Sequence, residues 1–153
     1  MLRISKLTDY GTVLLANLAA NREMVCSAAD VASATGIALP TVSKLLKELA
    51  KAEIVTSTRG SHGGYQLARD ATDISAADVI DALEGPVSIT ECSGTDSHCD
   101  LEAQCHVGGT WQRINVAIRQ ALDEVSLADL LKTESRLPRF EFAGTPINVV
   151  PKG

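Results

Sequence analysis

With 153 residues, 45% hydrophobic and 22% charged side chains, the chain has an ordinary globular composition and length for one core plus a small appendage. Aromatic residues make up 3%, so the core must be built from Leu, Val, Ile and Ala. The net charge of −5 excludes a uniformly basic nucleic-acid binder, but it is unevenly spread. Residues 1–70 carry eight Lys/Arg against six Asp/Glu, a balance of +2, whereas the remainder carries six against thirteen, or −7. The N-terminus has no charged-then-apolar leader, and the longest apolar stretch, Val13 to Ala20, is too short to span a bilayer. A cytoplasmic protein without membrane association is therefore expected.

The segment TDYGTVLLANLAA, from Thr8, has apolar residues at Tyr10, Val13, Leu14 and Leu18, near helical spacing, with Thr8 as a plausible N-cap. Ser27-Ala-Ala-Asp30 is a capping pattern for a second helix of about two turns that stops at Gly36. Pro40 suits the first turn of a third helix. Val42, Leu45, Leu46 and Leu49 make its apolar stripe, leaving Thr41, Ser43, Lys44, Lys47 and Lys51 exposed. A short helix, a Gly turn and a helix with a Ser/Thr/Lys face predict a helix-turn-helix, although any three-helix domain has a solvated face.

The next residues favour the DNA-binding reading. Ile54–Thr58 is a β-branched strand, Arg59–Gly64 a glycine-rich loop and Tyr65–Ala68 a return strand, together the hairpin of a winged helix. The loop glycines permit close approach to a nucleic-acid backbone, and Arg59 and His62 supply polar contacts. The fold expected is mainly α: a winged helix-turn-helix domain over 1–85 with a small β-hairpin wing, followed by a long dimerisation helix.

Ser75-Ala-Ala-Asp78 opens a helix through Val79, Ile80 and Leu83, ended by Gly85-Pro86. Residues 86–108 then form a loop in which Cys92, Cys99 and Cys105 fall within fourteen positions at C-x6-C-x5-C, without apolar periodicity. Such a loop has no core of its own, so a metal or metal cluster is the natural ordering agent. From Gly109, Trp111, Ile114, Ile118, Ala121 and Val125 follow 3-4-3-4 spacing, close to a coiled-coil seam. That seam predicts a homodimer; its alternative is packing on the same chain's winged helix. Ser126-Leu-Ala-Asp129 caps a short helix that completes 109–134. Residues 135–153, with Pro138, Pro146 and Pro151, read as a flexible tail bearing Phe140 and Phe142. Cys26, next to an N-cap, is expected to be buried and inert.

These residues resemble a known family. LTDYG, TVSKLLKELAKAEIV, RGSHGGYQLA, ISAADVIDALEG and the three-cysteine loop before a Trp-containing helix are similar to iron-sulfur-dependent winged-helix repressors. That family includes the Isc and Suf assembly regulators and nitric-oxide-sensitive repressors, and the Suf branch is nearest. The resemblance covers residues 1 to about 134. It implies a homodimer with one cluster per protomer, 2Fe-2S or alternatively 4Fe-4S, on Cys92, Cys99 and Cys105. Isc-type members place a fourth ligand, His, three residues after the last cysteine; here Gly108 stands there. In some nitric-oxide-sensing members an N-terminal aspartate of the partner fills the place, and Asp9 matches it. His106 ranks second, with Glu102, His98 or an external ligand behind. The resulting expectation is a regulator of iron-sulfur assembly or stress genes, whose cluster state controls affinity for operator DNA. Thr41, Ser43 and Lys44 would read bases, Arg59 the minor groove beside the wing, and Lys47 and Lys51 the phosphates.

Three rivals use the same residues: a zinc site on the cysteines plus His106, a metal-free thiol sensor, and a cluster carrier or electron-transfer protein that never binds DNA. No paired acid and base or activated nucleophile near a pocket motif argues for an enzyme.

Overall fold

The computed structural model describes residues 4–60, 62–89 and 107–132, together with the backbone of 140–142 and 145–147. Helix α1 (Lys6–Ala20) starts earlier than expected, because Ser5 rather than Thr8 is its N-cap: the Ser5 Oγ accepts from the amides of Leu7 at 3.2 Å and Thr8 at 3.4 Å. Thr8 lies buried in the first turn and donates its hydroxyl to the Glu84 carboxylate. The buried face of α1 runs through Thr8, Gly11, Leu14, Leu15 and Leu18, leaving Val13 exposed and Tyr10 half-buried. Gly11 lies at the crossing with the helix ending at Glu84, where a Cβ would meet the Leu83 Cδ1 methyl and turn that side chain aside.

Helix α2 (Ala28–Thr35) carries the Ser27/Asp30 capping box and ends at Gly36, whose φ of 72° is left-handed. Helix α3 (Leu39–Lys51) buries Val42, Leu45, Leu46 and Leu49, the stripe expected from its spacing. Strands β1 (Val55–Thr58) and β2 (Gly64–Leu67) pair antiparallel from Val55 opposite Leu67 to Thr58 opposite Gly64. Tyr65 also exchanges both backbone bonds with Cys26, at 2.8 and 3.0 Å, which ties the segment before α2 to the wing. A Cβ on Gly64 would sit 2.5 Å from the Cys26 carbonyl oxygen, so this close pairing requires glycine. Cys26, in an isolated bridge beside the outer edge of β2, is half-buried, not buried as expected. Partial burial, with Asp30 nearby, still raises its thiol pKa and suppresses the thiolate.

Helix α4 (Ala76–Glu84) has the Ser75/Asp78 capping box and packs against α1 and α3. Helix α5 (Gly108–Asp123) packs on α4, and the single-turn α6 (Leu127–Leu130) folds back onto the 3-10 turn at Ala71–Asp73 and α1. Leu127 is fully buried in the winged-helix core, its amide bonded to the Ile74 carbonyl at 2.7 Å, and the Ala76 amide reaches the Val125 carbonyl at 2.7 Å. Although sequence spacing groups α6 with the long helix, its Leu127 side chain joins the core of the winged helix. In the tail, β3 (Phe140–Phe142) pairs antiparallel with β4 (Thr145–Ile147), a hairpin that the Pro-rich composition does not announce.

Candidate nucleic-acid interface and ligand donors

On α3, Lys44, Lys47 and Lys51 are exposed, and Thr41 and Ser43 are half-exposed beside them. Lys51 is bound to Glu48 of its own helix at 2.9 Å, a surface pair that exchanges easily for a phosphate. Lys44 and Lys47 make no ion pair among the described residues, and the same holds for exposed Arg59 at the base of the wing. Their charge is uncommitted. Unlike α2, α4 and α6, α3 begins without a side-chain cap, at Ala38, with Pro40 in its first turn. The wing turns at Gly60, whose φ of 118° only glycine adopts readily, closed by the Gly63 amide on the Gly60 carbonyl at 3.0 Å. His62 is exposed on this turn. A cationic helix and an arginine-based wing on one domain are parts that position a protein on duplex DNA.

Helix α5 is inside out. Most of its predicted seam faces solvent, with Trp111 41% and Ile114 40% exposed, Ala121 exposed and Ile118 half-buried, and Val125 just beyond the helix is also exposed. The one buried residue among its sixteen is polar: Asn115, 7% exposed. Asn115 accepts from the Ile89 amide at 3.2 Å and donates to the Val87 carbonyl at 3.1 Å. One turn on, Arg119 pairs with Asp81 of α4 at 2.6 Å, and that carboxylate holds the guanidinium above its ordinary pKa. The other Asp81 oxygen is buried and has no hydrogen-bond partner among the described residues. Asp123 continues the stripe, within reach of Ser75 at 3.5 Å. Sequence reasoning missed this Asn115/Arg119/Asp123 face, although its i, i+4, i+8 spacing was a usable signal.

Cys92, Cys99, Cys105, His106, His98 and Glu102 lie outside the described residues. Among the described residues no group of three or more His, Cys, Asp or Glu side chains converges. Asp9 is exposed on α1, and its carboxylate has no hydrogen bond or ion pair to a described side chain. It lines a largely apolar groove of about 980 Å³ between the start of α1, α4 and the last turn of α5, with Ile4, Val79, Ile80, Leu122 and Val125. Gly108, where an Isc-type pattern has histidine, is the first residue of α5 and offers no donor. No helix among the described residues is long and apolar enough to cross a membrane.

A winged helix-turn-helix with an uncommitted cationic reader helix defines a DNA-binding transcriptional regulator. The chain belongs to the Rrf2 family of iron-dependent transcriptional regulators, whose profile matches residues 4–133. It is 35% identical over 139 residues to protein rrf2 of Nitratidesulfovibrio vulgaris, covering 90% of this chain and 93% of that one. It is 34% identical to the regulator IscR of Sodalis glossinidius over 109 residues, covering 71% of this chain and 66% of the relative. Among solved structures, CymR, the global cysteine regulator of B. subtilis, matches with a TM-score of 0.64 at 30% identity, covering 86% of this chain and 97% of that one. IscR of T. potens matches with a TM-score of 0.61 at 31% identity, covering 85% and 86%.

Proposed function

We propose that this regulator is a homodimeric iron-sulfur sensor and repressor. Cys92, Cys99 and Cys105 would hold the cluster, with the partner's Asp9 as fourth donor and His106 as the alternative. The observation that carries the reading is Asp9: an exposed carboxylate at the edge of a largely apolar groove, with no hydrogen bond or ion pair to a described side chain and only the nearby Lys6 charge acting on it, so it is free to serve as a donor. Three soft thiolates and one exchangeable oxygen donor fit an iron-sulfur cluster, which supplies a redox-active, thiolate-bound centre when present. The outward seam of α5 supports the dimer. If two α5 helices paired antiparallel, the Val107 end of one would lie beside Leu122 and Val125 of the other, at the Asp9 groove.

The chain's own residues provide the response. The cysteine segment joins α4 to α5 in the sequence, and α4 packs on α3, so strain at that junction reaches the reader helix through one packed element. Thr41, Ser43 and Lys44 read bases, Lys47 and Lys51 hold phosphates, and Arg59 with His62 takes the minor groove beside the wing. The regulated genes, on this reading, serve iron-sulfur assembly or stress. The test is anaerobic purification with absorbance and electron paramagnetic resonance spectra, then operator binding before and after cluster removal. Brown protein whose affinity changes on removal is expected. Equal affinity in both states sinks the sensor, and colourless protein with stoichiometric zinc sinks the cluster.

A second reading has its own support. The structural similarity to CymR, including an oxidised form from Staphylococcus aureus at a TM-score of 0.60, favours a thiol switch on the same cysteines. Metal-free protein whose operator affinity responds to oxidant and thiol reductant would select it.

A further inference from the structure

We infer that Asn115 is the positioning residue for the cysteine segment. It fixes the residues leading into that segment against the helix that follows it. A buried asparagine is an expensive choice for a helix whose other described residues are at least partly exposed, and it persists only if its amide is satisfied. Here both ends of the amide are used, and both on one stretch of backbone: Oδ1 takes the Ile89 N–H and Nδ2 gives to the Val87 carbonyl. The side chain thus acts as a one-residue strand beside Val87–Ile89, in a place where no described strand pairs with that backbone.

Position makes this consequential. Ile89 lies three residues before Cys92, and Asn115 lies two turns into α5, ten residues after Cys105. The amide therefore sets the separation of the two ends of the segment that carries the three thiols. Arg119, one turn further, fixes the same face of α5 to Asp81 of α4, so the clamp has a defined register instead of a sliding apolar contact. A Leu of similar shape at 115 would fill the space but leave the Ile89 N–H and Val87 C=O without this partner.

The test compares the full-length wild type with Asn115→Ala and Asn115→Leu. Amide hydrogen exchange at Ile89 reads the clamp directly, and it does so in metal-free protein. Loss of one backbone hydrogen bond should speed it by about threefold to tenfold in both variants, whereas a space-filling role would be rescued by Leu. The second readout, iron release to a chelator from reconstituted protein, rests on the proposed cluster and should be several-fold faster in both variants. Unchanged midpoints for unfolding of the winged helix show that the fold is intact. Wild-type exchange at Ile89, or full rescue by Leu, overturns the inference. So does fast exchange combined with wild-type iron release. Should wild-type protein take up no iron, the cluster reading fails separately, and alkylation of Cys92 replaces iron release. Wild-type alkylation rates in both variants would then overturn the positioning role.

Discussion

If the proposed dimer forms through the α5 seam, Ile114→Asp is expected to turn it into a folded monomer. Ile114 is 40% exposed on the isolated chain. Burying a whole isoleucine is worth about 1.5–3 kcal/mol, so covering the remainder contributes roughly 1 kcal/mol per protomer. Trp111, 41% exposed, adds about 2.5 kcal/mol from roughly 100 Å² of ring surface. Aspartate forfeits the Ile114 share and leaves a polar group facing the seam unpaired, at about 1–3 kcal/mol on mutational scales. Two-fold symmetry applies each loss twice, for a total of about 4–8 kcal/mol, or roughly a thousandfold or more in the dimer dissociation constant. Sedimentation velocity over a dilution series measures this, with far-ultraviolet circular dichroism as the control for folding. An undiminished dimer refutes the interface. A variant that loses its helical signal also refutes it, because the seam would then be core of a single chain.

Arg59→Ala should weaken operator binding by about 1–3 kcal/mol and flatten its salt dependence, read by fluorescence anisotropy across a salt series; unchanged binding removes Arg59 from the reader set. Leu127→Ala should cost about 2–5 kcal/mol in urea unfolding of the metal-free protein, since the side chain is fully buried; a loss under about 1 kcal/mol would mean α6 is not part of that core. The Thr8 hydroxyl, with the Ser5 amide adding to it against partial burial, holds the Glu84 carboxyl below the ordinary glutamate value of 4.5. A depressed carboxyl stabilises the fold above its unfolded value and loses that contribution as pH falls through the folded one. Metal-free wild type should therefore exceed Glu84→Gln by under about 1 kcal/mol at neutral pH, given the exposure of the pair, and the gap should close in acid. A gap that widens on acidification would reverse the assignment.

The winged helix was legible because its signals are local. Ser27/Asp30, Ser75/Asp78 and Ser126/Asp129 each form the capping box their spacing announces, and the α3 stripe is buried residue for residue. Ser5 was overlooked because the apolar period starts after it, and Thr8 looked like a cap while serving a contact seventy-six residues away. The destination of α6 was illegible for the same reason. Leu127 meets Ile74 through the fold, and nothing in its own neighbourhood encodes that. Of the site, Lys44, Lys47 and Arg59 are exposed and make no ion pair among the described residues, and Trp111 and Ile114 of the α5 seam face solvent. Asn115 went unremarked because a polar residue beside a heptad seam reads as solvated surface until its backbone partners are known.

Helix α5 makes sense once its two faces are weighed against each other. Toward its own domain it offers an amide, a guanidinium and a carboxylate, whose bonds are each worth about 1 kcal/mol net and hold only at one distance and angle. Toward solvent it offers indole and aliphatic surface whose burial is worth more but is indifferent to small rotations. In the proposed dimer, the helix pair could thus stay closed while the angle between each winged helix and that pair depends on a few directional bonds. Two of those bonds end on Val87 and Ile89, beside the cysteine segment. On the proposed reading, a change in that segment would not have to break the dimer to change the spacing of the two α3 helices; it would only have to disturb Asn115. For a reader whose half-sites lie about 34 Å apart, a tilt of a few degrees at each end displaces the helices enough to lose base contacts.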